Sequence, residues 1–184
     1  MRKVIVSEMV SLDGFYSRPN GEIDWHVVGE EFNAIALDQL NEMDALLFGR
    51  VTYQLMVSYW PTPVAIQNDP VIADKMNTLP KLVFSKTLAS AGWGKWDNAS
   101  VVKGDLGEAV ARLKQQPGKD MAIFGSGAIV AALTGLGLVD EYRLFVVPAA
   151  LGRGVPLFPA PVSLKLLRTR ALDTGVVQLC YAPA

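Results

Sequence analysis

The chain has very little of two residues on which much protein chemistry depends: one cysteine, Cys180, and one histidine, His26, among 184 residues. A lone cysteine closes no internal disulfide, and a reducing cytoplasm is the expected setting. One thiol and one imidazole are too few soft ligands for an ordinary zinc site, so no metal centre is expected. Neither sign of charge is in excess: 17 Lys and Arg stand against 18 Asp and Glu, a net charge of −1. That balance gives no electrostatic footprint for nucleic acid or an anionic membrane surface. Internal repeats, low-complexity tracts and Ser/Gly-rich linkers are missing too, so a single domain over residues 1–184 is expected. The first residues, "MRKVIVSEMVSLDGF", are interrupted by Glu8 and Asp13 and make a poor signal peptide.

What is present in quantity is apolar: 51% of the residues, enough for a substantial core. The longest uncharged stretch lies between Asp120 and Asp140 and has the length of a membrane span. Gly125, Ser126, Gly127, Thr134, Gly135 and Gly137 interrupt it where a spanning helix would want apolar helix formers. It parses better as a buried strand "MAIF", a turn "GSG", a helix "AIVAALTGLG" ended by glycines, and a strand "EYRLFVV".

The same alternation runs along the chain. "KVIVSEMV" reads as a first strand. "GEEFNAIALDQLNEM" carries Phe32, Ile35, Ala36 and Leu40 at helical spacing with Glu30 and Glu31 in its first turn, which predicts an amphipathic helix. "DALLFG" is a strand, and "RVTYQLMVSYW" a helix that Pro61 stops. Residues 61–80, bounded by prolines, are expected to be a loop around one short helix. "KLVFS" and "ASVVKG" are strands, and Asp105 with Glu108 three residues on opens the helix "DLGEAVARLKQQ" in the manner of a capping box. "SLKLLRTR" and "VVQLCY" flank "LDTG" as an antiparallel hairpin. The fold class expected is α/β, a mostly parallel central sheet flanked by helices and closed by an antiparallel C-terminal hairpin.

In such a sheet, ligands bind beyond the carboxyl ends of the strands. Three strand ends share one design: "GRVT" after "ALLF", "SKT" after "LVF", and "GSGA" after "AIF". Glycines admit close approach, helix starts point N–H groups outward, and Arg50 and Lys86 supply positive charge. Together they suit a diphosphate that bears a further phosphate.

These motifs and their order, with "VSLDGFYS" near the start and "GLVDEYRLFVVPAALGRGVPLF" after the glycine turn, resemble the dihydrofolate reductase superfamily. The resemblance is closest to the branch containing the reductase domain of bifunctional riboflavin-biosynthesis enzymes. It implies a dihydrofolate reductase-like fold, NADPH as hydride donor, a small-molecule substrate and a homodimer. Gly49, Arg50 and Thr52 then look like the helix start that holds cofactor phosphates. Ser85 and Lys86 look like the pair meeting the adenosine 2′-phosphate, and Gly125, Ser126, Gly127 and Ala128 like the turn against the pyrophosphate. Leu12, Asp13 and Gly14 resemble the loop beside the nicotinamide.

Candidate acids near the first strand are Glu8, Asp13, Asp24 and Glu30, and the "SLDG" resemblance favours Asp13. Trp25 and Phe15 are suited to stacking on a flat heterocycle or to covering the core; His26 reads as incidental and Cys180 as a small buried hydrophobe. Arg18 and Arg153 are candidates to meet a ribose phosphate. The nearest branch implies 5-amino-6-(5-phosphoribosylamino)uracil as substrate. A folate reductase would need a carboxylate near the start of the first helix, where two ways of counting lead to Glu30 or to Asn33. The other alternative is a non-catalytic nucleotide-binding or dimerisation module of the same fold.

Overall fold

Short apolar runs separated by helical stretches fold as that pattern requires. The computed structural model describes all of residues 1–184. In chain order the elements are β1 (Val4–Ser11), β2 (Phe15–Ser17), α1 (Glu30–Glu42), β3 (Met43–Gly49), α2 (Arg50–Tyr59), α3 (Pro63–Asn68), α4 (Pro70–Thr78), β4 (Lys81–Phe84) and β5 (Ala99–Val102). They continue with α5 (Leu106–Gln115), β6 (Asp120–Phe124), α6 (Gly127–Gly135), β7 (Glu141–Val147), β8 (Val155–Pro156), β9 (Leu164–Ala171) and β10 (Val177–Pro183). No helix is long and apolar enough to cross a membrane.

Eight strands form one sheet in the order β5-β4-β3-β6-β1-β7-β10-β9. Pairings from β5 to β7 are parallel, and β10 runs antiparallel to both β7 and β9. Strand alternation divides the core between the two faces. Val4 and Val6 of β1, Ala45 and Leu47 of β3, and Met121 and Ile123 of β6 pack with Val110 of α5 and Ile129, Val130 and Leu133 of α6. Ile5, Leu46, Phe48 and Ala122 face the other way, against Leu40, Tyr53, Ile72 and Met76 from α1, α2 and α4. The inner strands are therefore apolar on both faces, and their sequences read as continuous runs. Cys180 lies fully buried on β10 as a free thiol.

Residues 61–80 depart from the expected loop around one short helix, since they form both α3 and α4. Pro63 and Pro70 each open a helix where a missing N–H is harmless. Thr62 caps α3 by accepting from the Ala65 N–H at 3.3 Å, and α4 buries Ile72, Ala73, Met76 and Asn77. The small antiparallel pair β2–β8 was also not legible, because two or three residues show no periodicity. Asp105 caps α5 as expected, its Oδ1 accepting from the Glu108 N–H at 2.8 Å.

Because β1, β3, β4, β6 and β7 are parallel, their carboxyl ends share one edge of the sheet. Pairing of β1 with β6 stops at Ser7 and Phe124, whereas pairing with β7 continues to Ser11 and Val147. A gap therefore opens beside β1 from Glu8 onward, at the edge where ligands of such sheets bind.

Candidate active site

Two helix starts meet at this edge. Gly49 is the N-cap of α2 and Ser126 of α6, and neither helix is capped by a side chain of its own. Ser126 is instead spent on the neighbour: its Oγ accepts from the Gly49 N–H at 2.9 Å, and its own N–H donates to Thr52 Oγ1 at 2.9 Å. Ser126 adopts φ 62° and Gly125 φ 67°, and a Cβ on Gly125 would come within 3.1 Å of Thr52 Cγ2. The left-handed turn thus presses onto α2. The outcome is two adjacent helix starts without side-chain caps, whose positive ends suit a pyrophosphate. Arg50 stands exposed beside them with one guanidinium nitrogen 3.1 Å from Gln54 Oε1, and Ala128 is exposed in the first turn of α6.

Gly127 has a different reason to be glycine than expected. A Cβ there would lie 2.3 Å from ring carbons of Tyr16, so the protein's own tyrosine covers this residue. A valine at position 127 would displace Tyr16 before it met any ligand.

Further along the edge, Ser85 Oγ accepts from the N–H groups of Thr87 and Leu88 at 3.2 and 3.1 Å and fixes the turn that carries Lys86. Lys86 shares an open depression with Lys103, Gly104, Asp105 and Leu106. Lys103 escaped the sequence reading because β5 ends in no motif; only parallel pairing of β4 and β5 brings the two lysines to one place. Their combined charge suits a phosphate monoester, with the Asp105 carboxylate occupied in capping α5.

The gap beside β1 leads into a cavity of about 440 Å³. Ser7, Glu8 and Met9 form one wall, Phe32, Asn33, Ala36, Gln39 and Leu40 of α1 another, and Tyr59, Trp60, Ile72, Met76, Phe124 and Phe145 complete most of the rest. The apolar stripe expected on α1 thus faces this space as well as the core. Buried atoms Glu8 Oε2, His26 Nε2 and Gln39 Nε2 have no hydrogen-bond partner in the protein, and all three residues line the cavity. Burial pushes the Glu8 carboxyl up to about 8, against a weaker pull from the Met9 backbone. Alternation with Met9 puts its side chain on the face of Val6 and Val10, toward Tyr16, whose hydroxyl is raised by burial and then by Glu8. Burial also lowers the pKa of His26, which packs edge-on against Trp25 at 4.6 Å. Trp25 itself belongs to the core with Met9, Ile35 and Phe145. Phe15 packs where a Cβ on Gly154 would sit.

Asp13, favoured from the sequence as the acid, is a latch. Its carboxylate accepts from Ser11 Oγ at 2.6 Å, the Leu151 N–H at 3.1 Å and the Gly152 N–H at 2.7 Å. The Ser11 hydroxyl first, then the Leu151 N–H, hold its pKa at about 2, so near neutrality it is ionised and has no proton to give. Leu12 is exposed, its N–H bonded to the Ala149 carbonyl at 2.8 Å, and Gly14 turns the chain at φ 86°. Asp13→Ala is expected to speed amide exchange at Leu151 and Gly152 and to lower Tm at neutral pH. The latch acts above the carboxyl's ordinary value of 3.8 and is lost as pH falls toward 2, so the two proteins should converge in acid.

A mostly parallel sheet with helices on both faces, an antiparallel end and two adjoining helix starts at its carboxyl edge defines a dihydrofolate reductase-like α/β protein. Residues 2–178 match the RibD C-terminal domain family, and the chain belongs to it. It is 34% identical to the uncharacterized protein YyaP of Bacillus subtilis (strain 168), over 98% of this chain and 94% of that one. Among solved structures, a putative riboflavin biosynthesis protein from Shewanella sp. PV-4 superposes with a TM-score of 0.74 at 25% identity, over 99% of each chain. A diaminohydroxyphosphoribosylaminopyrimidine deaminase/5-amino-6-(5-phosphoribosylamino)uracil reductase from Thermotoga maritima shares the fold with a TM-score of 0.69 at 12% identity. All of this chain corresponds to 57% of that one.

Proposed function

We propose that the protein is an NADPH-dependent reductase of a small, ring-shaped acceptor. The observation that carries this reading is a continuous edge on which two helix starts and the Lys86–Lys103 depression adjoin a cavity, with the buried Glu8 side chain where they meet. Gly49, Arg50, Thr52, Gly125, Ser126 and Ala128 hold the pyrophosphate in this reading, and Ser85, Lys86 and Lys103 the 2′-phosphate. When bound, NADPH supplies the hydride. The chain's own residues orient the acceptor, exclude water and deliver a proton. Glu8 is the donor in this reading, acting through the gap beside β1: its side chain lies on the Tyr16 face of the sheet and, with burial pushing its pKa up to about 8, holds its proton at neutral pH. Asp13 keeps the loop next to it closed.

Folate reduction has less support. Of the two positions that counting from the sequence offers for the pterin carboxylate, Asn33 lines the cavity and Glu30 does not, so α1 presents an amide. The test of the reading is NADPH oxidation followed optically with cyclic imines, pteridines and ribosylaminouracils as acceptors. Turnover of any of these at rates above the buffer reaction supports it; binding of NADPH without turnover of any would favour the non-catalytic module. Lys86→Ala is expected to weaken NADPH roughly ten- to hundredfold and NADH hardly at all, measured by fluorescence titration. Lys103→Ala should act in the same direction.

A further inference from the structure

The acceptor named for the Thermotoga maritima relative carries a ribose phosphate, and this cavity has nothing to hold one. Resting on the reductase reading above, we infer that the acceptor is an uncharged ring molecule bearing an apolar substituent and no phosphate. Of 19 residues lining the cavity, 12 are hydrophobic and none is Lys or Arg. Its charged or protonatable groups other than Tyr59 are Glu8, Asp69 and His26. Burial favours the protonated form of Glu8 and the neutral form of His26, so no group of the lining offers positive charge to an anion. The arginines suggested by the sequence do not help. Arg18 is engaged by Asp24 at 2.6 and 3.3 Å, and neither it nor Arg153 lines the cavity.

A phosphate enclosed here would lose water and gain no cation in return. The positive groups lie on the other side of the gap, where the cofactor's phosphates occupy them. What the cavity offers is aromatic and aliphatic wall from Phe32, Tyr59, Trp60, Ile72, Met76 and Phe145, with a few neutral polar atoms. The amides of Asn33 and Gln39 and the imidazole of His26 match the carbonyl and N–H edges of a heterocycle. Gln39 Nε2 and His26 Nε2 are buried without a partner in the protein, so a small turn of either side chain toward a heterocycle edge would gain a hydrogen bond and give up none. The cavity of about 440 Å³ is shared by the acceptor with the nicotinamide end of the cofactor, and the wall left to a substituent on the acceptor ring is aromatic and aliphatic, which makes that substituent apolar.

Three compounds sharing the 6-aminouracil ring separate the alternatives: 6-(benzylamino)uracil, 5-amino-6-(ribosylamino)uracil and its 5-phosphoribosyl form. Each is titrated by calorimetry into the protein saturated with NADPH. The benzyl compound is expected to bind at least tenfold more tightly than the phosphoribosyl compound. Ala36→Trp, which fills the cavity from α1, should abolish that binding, and Gln39→Leu, which removes the unpartnered amide at nearly constant volume, should weaken it severalfold. Equal or tighter binding of the phosphoribosyl compound overturns the inference, as does failure of the benzyl compound to bind. Neither result touches the reductase reading, which fails separately if the protein does not bind NADPH.

Discussion

Glu8→Gln is expected to slow turnover of the acceptor found by screening about 10²–10⁴-fold, the usual contribution of a positioned general acid. Glutamine fills the same space and hydrogen-bonds similarly but has no proton to transfer, so NADPH affinity should be almost unchanged. The wild-type rate should be level through neutral pH and fall about tenfold per unit above the carboxyl's pKa of about 8. In the variant that limb should vanish. A Glu8→Gln protein with wild-type turnover, or a wild-type profile that is flat to pH 10, would remove Glu8 from the mechanism.

The same carboxyl should make folding stability depend on pH, whatever the substrate. Unfolded, it ionises near 4.5; folded, burial delays this to about 8. Between those values the unfolded chain has released a proton that the folded chain still holds, so wild-type stability falls as pH rises from about 4.5 and the loss is complete near 8. Relative to Glu8→Gln, the change across that window approaches about 5 kcal/mol. Urea unfolding of both proteins at pH 4.5, 6 and 8 measures it. Glu8→Gln should be similar in acid and clearly more stable at pH 8; a difference independent of pH would mean the folded carboxyl ionises normally.

How far the sequence reached depended on what kind of signal each feature leaves. The sheet and its flanking helices were legible because apolar runs, glycine turns and the capping Asp105 are local. The strand ends at Gly49, Ser85 and Gly125 were legible as one set because small residues and cations recur there, and strand order places them on one edge. The stripe Phe32, Ala36 and Leu40 has the same period whether it faces packed core or a cavity, so its second role was hidden. Lys103 and His26 carry no motif: pairing of β4 with β5 brings Lys103 beside Lys86, and only the folded loop after β2 puts His26 at the cavity. Asp13 and Glu8 show the limit most plainly. Both are carboxylates near the first strand, and only Asp13 is marked by a motif, the turn pair Asp13–Gly14. Three hydrogen bonds hold Asp13 ionised, and burial without a partner for Oε2 holds Glu8 protonated, distinctions that exist only in three dimensions. Gly127 looked like a ligand's floor and turned out to make room for Tyr16.

The central claim is that the edge joining α2, α6 and the Lys86–Lys103 depression binds NADPH. Titration of the purified protein with NADPH and with NADH, followed by tryptophan quenching and nicotinamide emission, tests it most directly. Saturable NADPH binding, at least tenfold tighter than NADH and reduced to the NADH level in Lys86→Ala/Lys103→Ala, is the expected result. Binding of neither nucleotide, or equal binding of both that the double substitution leaves unchanged, would contradict it.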